Sequence, residues 1–469
     1  MTKPLVALLC LALALAAGSA RFTAAAFTAS TNVSGNALGV DQLSNHFSVV
    51  SAGAVQAGTS TPVASGSVDS LSLDFGTVPS ARTFANVFRV TNVGSSSATA
   101  ILTLSSIPQI TSIAFASSGS TTATLAPGAS TTVSVTTSST VAGRGTGTLN
   151  LGLGGASWMY RTYSVTLDEA PEAPGTPTAT AGAGGKISLT WGASTTTTNL
   201  AGYDLYRSSG GAYAKQNASP LIVASYTDTA TVDGTTYTYK VRATSSGTPT
   251  LESLDSATAT AKADATPPGQ PTSVSLANGG GAGGGYINGG NRGSISISVG
   301  LAANSLTSDV VTVTLSDGST TITQTAAGTS GAGTITVGGF NAAGLGDGTI
   351  TISAKSTDLA GNVSTVRSTT VTKDAAAPAA PGATYTDNNN AADQISGTAE
   401  ANASITITQT APNAATFGTT ATAGGTYSAN VATVNGKSSA KITVTYVVTA
   451  TDAAGNTSAG TTVTFADAR

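Results

Sequence analysis

The chain has 469 residues, long enough for several domains, with 9% charged residues, 55 glycines and a formal net charge of −3. Its 19 basic residues are spread thinly, so no patch forms that would neutralise several phosphates, and nucleic acid is not expected as a partner. A single histidine, His46, leaves no basis for a zinc site built on several imidazoles.

The first 20 residues read as a secretory leader. Lys3 gives the positive start, Leu5 to Leu15 the apolar run, and Gly18-Ser19-Ala20 the small-residue cleavage site. The one cysteine, Cys10, lies inside it and lacks the L-x-[GA] lead of a lipoprotein signal, so the mature chain is expected to be free of disulfides and of a lipid anchor. No later stretch is apolar for long enough to span a bilayer as a helix. A secreted, cell-surface location is therefore expected. Beyond the leader, short Thr/Val-rich runs alternate with glycine-rich breaks and no helical period appears, which predicts an all-β chain.

Residues 21–169 form the first expected domain. One strand is predicted over Phe22–Val33 and a short run over Phe47–Val50. The pattern sharpens at F-G-T-V-P (Phe75–Pro79), at the run Val87–Asn92 closing on Asn92-Val93-Gly94, and at L-A-P-G-A-S (Leu125–Ser130), where Pro127-Gly128 supplies a turn. The mature start resembles the camelysin and biofilm-matrix fibre family, where a Phe-Thr strand follows the cleavage site. The later motifs resemble Ig-like domains of the sperm-protein and spindle-protein superfamily, which implies a β-sandwich used for protein contact.

Residues 170–263 open on a Pro-rich joint, APEAPGTP (170–177). Three runs of period two follow. Ile187, Leu189 and Trp191 share one face. Tyr203, Leu205 and Arg207 alternate with Asp204 and Tyr206. Tyr237, Tyr239, Val241 and Ala243 share a face. The set L-T-W, Y-x-L-Y-R and G-T-x-Y-x-Y-x-V-x-A resembles a fibronectin type III domain. The resemblance implies that Trp191 packs between the sheets and that Tyr237 is the corner tyrosine.

Residues 264–374 and 375–469 read as two copies of one module. Each opens on an Asp-led, Pro-rich joint, at Asp264 and at Asp374. Each later carries the same loop, T-D-L-A-G-N (Thr357–Asn362) and T-D-A-A-G-N (Thr451–Asn456). These phrases, with I-S-G-T-A-E-A-N-A-S-I-T-I-T from Ile395, resemble the bacterial Ig-like repeats of large surface adhesins. In such repeats Ca²⁺ often stiffens the junctions, so the resemblance implies Asp264, Asp358, Asp374 and Asp452 as metal ligands. The alternative is that Asp and Asn make side-chain turns, with Gly361 and Gly455 at positive φ.

Other motifs carry less. Gly279-x-Gly281-x-x-Gly284 fits the spacing of a dinucleotide fingerprint, but no helical period follows, which predicts a loop between strands. Glu169 and Glu172 read as solvated surface. Trp158 and Trp191, the only tryptophans, both fall in expected strands. The β-prone runs Thr131–Thr137 and Lys441–Thr451, in a chain with few charges to guard edges, predict edge-to-edge association. The whole is expected to be a string of four β-sandwiches without enzymatic activity. It would act in adhesion or as a spacer, with an extracellular protein, a polysaccharide or another copy of itself as partner. The alternatives are a fibre subunit and a carbohydrate-binding accessory to secreted hydrolases.

Overall fold

The computed structural model describes residues 42–388, 391–432 and 441–467. The expected leader, Cys10 and the expected strand Phe22–Val33 lie outside the described residues. The chain divides into two compact units. The first runs through Thr180 and adds Ile187–Asp228 and Thr235–Lys262; the second holds Ala181–Lys186, Thr229–Gly234 and the chain from Ala263 onward. Among the described residues the architecture is all-β, a tandem series of Ig-like and fibronectin type III-like sandwiches.

The first sandwich contains β1 (Phe47–Ser51), β2 (Ala64–Ser65), β3 (Ser72–Val78), β4 (Thr83–Asn92), β5 (Ala98–Leu104), β6 (Ile110–Phe115), β7 (Thr122–Leu125), β8 (Ser130–Thr137), β9 (Gly143–Leu153) and β10 (Ala156–Glu169). One sheet has the order β1-β4-β8-β6; the other is six-stranded, β2-β3-β10-β9-β5-β7, with β3 and β10 parallel. Alternation is clean: Val133 and Val135 of β8 and Leu149 and Leu151 of β9 turn inward while Ser134 and Asn150 between them turn out. They meet Phe47, Phe75, Phe88 and Phe115, each fully buried. Side chains of this size contribute roughly 1.5–3 kcal/mol each on burial, which a chain this poor in charge needs from its cores. The Tyr163 hydroxyl, also buried, donates to the Val68 carbonyl at 2.8 Å.

The second sandwich contains β11 (Thr178–Ala181), β12 (Ile187–Thr190), β13 (Leu200–Ser208), β14 (Ala214–Lys215), β15 (Ser225–Asp228), β16 (Thr236–Ser245) and β17 (Ala259–Lys262). Its sheets are β11-β12-β15 and β14-β13-β16-β17. Trp191 packs edge-on against Tyr203 with centroids 5.7 Å apart, beside buried Leu189, Leu205 and Tyr239. Asp204 departs from the alternation: it is buried, because Lys215 Nζ at 2.7 Å, Asn217 Nδ2 at 2.9 Å and the Thr244 hydroxyl at 3.1 Å satisfy its carboxylate.

In the second unit, the third sandwich contains β18 (Ser273–Leu276), β19 (Tyr286–Ile287), β20 (Ile295–Leu301), β21 (Val310–Ser316), β22 (Thr321–Ala327), β23 (Gly333–Phe340), β24 (Gly348–Thr357) and β25 (Arg367–Lys373). The fourth contains β26 (Gly382–Thr386), β27 (Asp393–Thr398), β28 (Ser404–Ala411), β29 (Ala415–Thr420), β30 (Thr426–Val431), β31 (Ile442–Thr451) and β32 (Thr461–Asp467). The sheets β18-β20-β23 and β25-β24-β21-β22 match β26-β27-β30 and β32-β31-β28-β29 strand for strand. The repeat read in the sequence is thus a repeat of topology. The third copy differs by an insert after β18 that carries the glycine-rich loop and β19, which adds in parallel to β25.

The two runs expected to seed edge association are not edges. Strand β8 lies between β4 and β6, and β31 lies between β28 and β32, so their backbone groups are already paired on both sides. Strong β-propensity here marks the centre of a sheet, where both neighbours bury the branched side chains.

Candidate functional site: the asparagine clasps

The two D-x-A-G-N loops fold identically. In the first, Asp358 N–H donates to the Asn362 carbonyl at 3.0 Å and Gly361 N–H to the Asp358 carbonyl at 3.1 Å; in the second, Asp452 and Asn456 pair at 3.1 Å and Gly455 and Asp452 at 3.2 Å. The glycines sit at φ 91° and 88°, a region that costs residues bearing a Cβ. Each aspartate then caps its own asparagine. Oδ1 of Asp358 and of Asp452 accepts the asparagine N–H at 2.8 Å, and Oδ2 accepts its Nδ2 at 2.9 Å. A turn with both carboxylate oxygens accepting fixes the asparagine amide in one orientation.

The fixed amide faces away from its own loop. Asn362 Nδ2 donates to the Asp264 carbonyl at 3.0 Å, and its Oδ1 accepts the Gly184 N–H at 2.7 Å. Asn456 Nδ2 donates to the Asp374 carbonyl at 2.9 Å, and its Oδ1 accepts the Gly289 N–H at 2.7 Å. Each asparagine therefore ties the joint that precedes its sandwich to a glycine of an upstream loop. Both asparagines are buried, so both amide hydrogens and the amide oxygen are bonded out of water, where leaving them unpaired is costly.

The glycine-rich insert belongs to this arrangement. A Cβ built on Gly281, at φ 73°, would stand 2.4 Å from the Ala453 carbonyl oxygen, and one on Gly280 would stand 2.1 Å from Asn288 Nδ2. Asn288 Nδ2 in turn donates to the Ala454 carbonyl at 2.7 Å. The run that fits a dinucleotide fingerprint is a loop between β18 and β19, and its lack of side chains lets the Ala453–Gly455 turn seat against it. Gly289, just after β19, supplies for Asn456 what Gly184 in the short loop Ala181–Lys186 supplies for Asn362: a backbone N–H at the clasp.

Within the first unit the joint after β10 is held by the same chemistry with other residues. Thr196 Oγ1 donates to the Ser139 carbonyl at 3.0 Å, Asn199 Nδ2 to the Ala142 carbonyl at 2.9 Å, and Ser194 Oγ to the Glu172 carbonyl at 2.7 Å. Glu172 Oε1 accepts the Ala81 N–H at 2.5 Å. Glu169, expected on the solvated surface, is fully buried at the end of β10, where Thr137 donates to Oε1 at 3.3 Å and Oε2 has no hydrogen-bond partner among the described residues. Burial pushes its carboxyl up to about 8; the Thr137 hydroxyl and Arg82 draw it down and Glu172 draws it up.

The four aspartates named as calcium ligands occupy these clasps in two roles. Asp358 and Asp452 use their carboxylates on asparagine. Asp264 and Asp374 offer their backbone carbonyls to the clasp, while their carboxylates cap Thr266 N–H at 3.1 Å and Ala376 N–H at 3.3 Å. Among the described residues no group of three or more His, Cys, Asp or Glu is placed to hold a metal ion. The sequence shows Asn362 and Asn456 as the last residue of each loop and at the head of N-x-S/T triplets, neither of which points to a clasp. The signal was present in the recurrence of Asn at the same offset from Asp in both copies. No helix among the described residues is long and apolar enough to cross a membrane.

No protein-family model matches the chain. A 58-residue stretch is 43% identical to an amylopullulanase of Thermoanaerobacterium saccharolyticum, and an 87-residue stretch is 36% identical to chitinase 63 of Streptomyces plicatus. These stretches are 12% and 19% of this chain, and they span only 4% and 13% of the length of the two curated relatives. Among solved structures, a tetra-tandem repeat from the extending region of a large adhesion protein aligns with 81% of this chain and 94% of its own, at 20% identity and a TM-score of 0.22.

Proposed function

We propose that the chain is a secreted, non-enzymatic spacer or adhesin stalk whose second unit is held in fixed succession by side-chain clasps at its joints. The observation that carries this reading is the repetition of one four-bond clasp at Asn362 and Asn456, matched to within about 0.1 Å in every bond although the loops around it differ in sequence and length. Freely hinged domains need no such device: a Pro-rich joint alone would keep them apart. Spending two buried amides on backbone groups of a joint makes sense where the spacing itself is the product. Work of this kind needs neither a cleft nor an activated side chain, and the paired, capped carboxylates of the clasps offer neither.

The experiment is electron microscopy and small-angle scattering of the secreted chain beside an Asn362→Ala/Asn456→Ala variant. A single, narrow particle length in the parent and a broad distribution in the variant are expected. Equal distributions would remove the clasps as the basis of spacing, and ordered filaments would replace the stalk by a fibre subunit.

A further inference from the structure

Tryptophan 158 is 64% exposed and Tyr160 is 48% exposed. They flank the buried Met159 on β10: Tyr160 pairs in the ladder and stands on the solvent side of the six-stranded sheet, and Trp158 lies in the irregular stretch between Ala156 and Tyr160 at the end of the same strand. Tyr160 lies opposite Gly152 of β9, and Gly152 lies opposite Ile101 of β5. Nothing in the fold demands glycine at that position: its φ is not in the left-handed region, and an added Cβ would meet only the Met159 carbonyl at 3.5 Å and Tyr160 Cβ at 3.6 Å, ordinary contacts. What glycine does is leave an apolar notch between Tyr160 and Ile101. The next row of the same face, Thr162–Asn150–Thr103, carries hydroxyl and amide groups, with Thr162 donating to Asn150 Oδ1 at 2.7 Å. Charge beside the aromatic pair is itself paired: Arg161, next to Tyr160 on β10, donates to Asp69 at 2.8 Å and to the Tyr160 carbonyl at 3.4 Å. Asp74, Arg144 and Asp168 of this face stand at the far end of the strands, where both Arg144–Asp168 bonds are 2.8 Å.

We propose that this face, from Trp158 and the Tyr160–Gly152 notch to the Thr162–Asn150–Thr103 row, binds the flat side of an uncharged β-1,4-linked polysaccharide. An exposed indole is costly to leave in water and is the residue type on which recognition energy concentrates. Pyranose rings present apolar C–H faces to an aromatic ring and hydroxyls at their rim, matching an aromatic pair bordered by neutral donors and acceptors. An open sheet surface suits an extended, ribbon-like polymer, and the pairing of Arg161 with Asp69 and of Arg144 with Asp168 leaves no cationic patch to favour anionic polymers. The proposal does not depend on the clasps, since all its residues lie in the first unit.

The test is retention of the secreted chain on microcrystalline cellulose and on chitin beads, for the parent and for Trp158→Ala, Tyr160→Ala, Gly152→Thr and Ile222→Ala. Ile222 is 88% exposed and lies outside this face, so its variant controls for general surface apolarity. Retention is expected to fall about tenfold or more in Trp158→Ala and Tyr160→Ala, as for loss of an anchoring aromatic. It is also expected to fall in Gly152→Thr, which fills the notch, and to stay at the parental level in Ile222→Ala. Each variant is checked for an unchanged thermal transition, and Trp158→Phe should recover part of the retention. The proposal is overturned if the parent is not retained on either polymer, or if all variants are retained equally. It is equally overturned if Trp158→Ala abolishes self-association of the chain while retention is untouched, which would make the face a protein interface.

Discussion

Asn456 Nδ2 lies 2.9 Å from the carbonyl oxygen of Asp374, 82 residues earlier in the chain. The joint that opens the fourth sandwich is thereby fastened by a loop near its end, and Asn362 fastens Asp264 in the same way across 98 residues. Closing so long a segment gains nothing from local geometry. The bond forms because the sandwich between the two points is rigid enough to return its last turn to its first residue.

Replacing Asn456 by Ala leaves the Asp374 carbonyl, the Gly289 N–H and an Asp452 oxygen without that partner. A loss of about 1–3 kcal/mol is expected in the unfolding transition of the fourth sandwich, read by calorimetry of the whole chain. Asn456→Asp should cost more, because it sets a carboxylate against the Asp374 carbonyl and the Asp452 carboxylate. The Gly289 amide should lose hydrogen-exchange protection in both variants. Unchanged protection would mean that the clasp is made but carries no load.

Gly281→Val should open the contact between the glycine-rich insert and the Ala453–Gly455 turn, because a Cβ there meets a backbone carbonyl that cannot swing aside and the φ of 73° is already unfavourable. Gly283→Val, at φ 84° but with open space around it, separates the two causes: it carries the backbone strain without the clash. Protease nicking in the insert should rise in Gly281→Val and remain low in Gly283→Val. Equal nicking would assign the effect to strain alone.

The sandwiches were legible because each core residue announces itself by period-two alternation, as Val133 and Val135 or Ile405 and Ile407 do. The duplicated loop was legible for the same reason that it works: identical bonds need identical side chains. What alternation could not give is the location of a strand within its sheet, so β8 and β31 were read as edges when both are central. Nor could it give burial at a strand's end. Glu169 borders a Pro-rich joint, which reads as exposed, but Thr137 and the packed joint enclose it. Trp158 fails in the opposite sense, since its place in a strand says nothing about whether its face is covered.

Calcium at the Asp-led joints competes with the clasps for the same oxygens. A metal binding Asp358 or Asp452 would draw on oxygens that already accept from Asn362 or Asn456, at 2.8 and 2.9 Å, and would weaken those bonds. Equal transition temperatures in millimolar Ca²⁺ and in chelator are expected for the parent chain. A rise with Ca²⁺ would seat the ion at Asp264, Asp358, Asp374 and Asp452, and the rise should then vanish in Asp358→Asn and Asp452→Asn.

Glu169 makes the first sandwich lose stability as pH rises from the ordinary glutamate range toward 8. Its carboxyl is neutral in the folded chain up to about pH 8, whereas in the unfolded chain it ionises near the ordinary glutamate value. Folding therefore takes up a proton between those two values. The contribution of Glu169 is complete below the ordinary glutamate pKa and is lost as pH rises toward 8, by at most about 1.4 kcal/mol per pH unit. Above pH 8 the folded sandwich holds a buried carboxylate with Arg82 as its opposing charge and Glu172 as a like charge. Glu169→Gln keeps the shape and the Thr137 bond and removes the titration. Denaturant unfolding of the parent at pH 5, 6.5 and 8 should show stability of the first sandwich falling with pH, while the Glu169→Gln curve stays flat over the same range. Parallel curves for the two proteins would mean that the Glu169 carboxyl already reaches water or an unseen partner and titrates as it does in the unfolded chain.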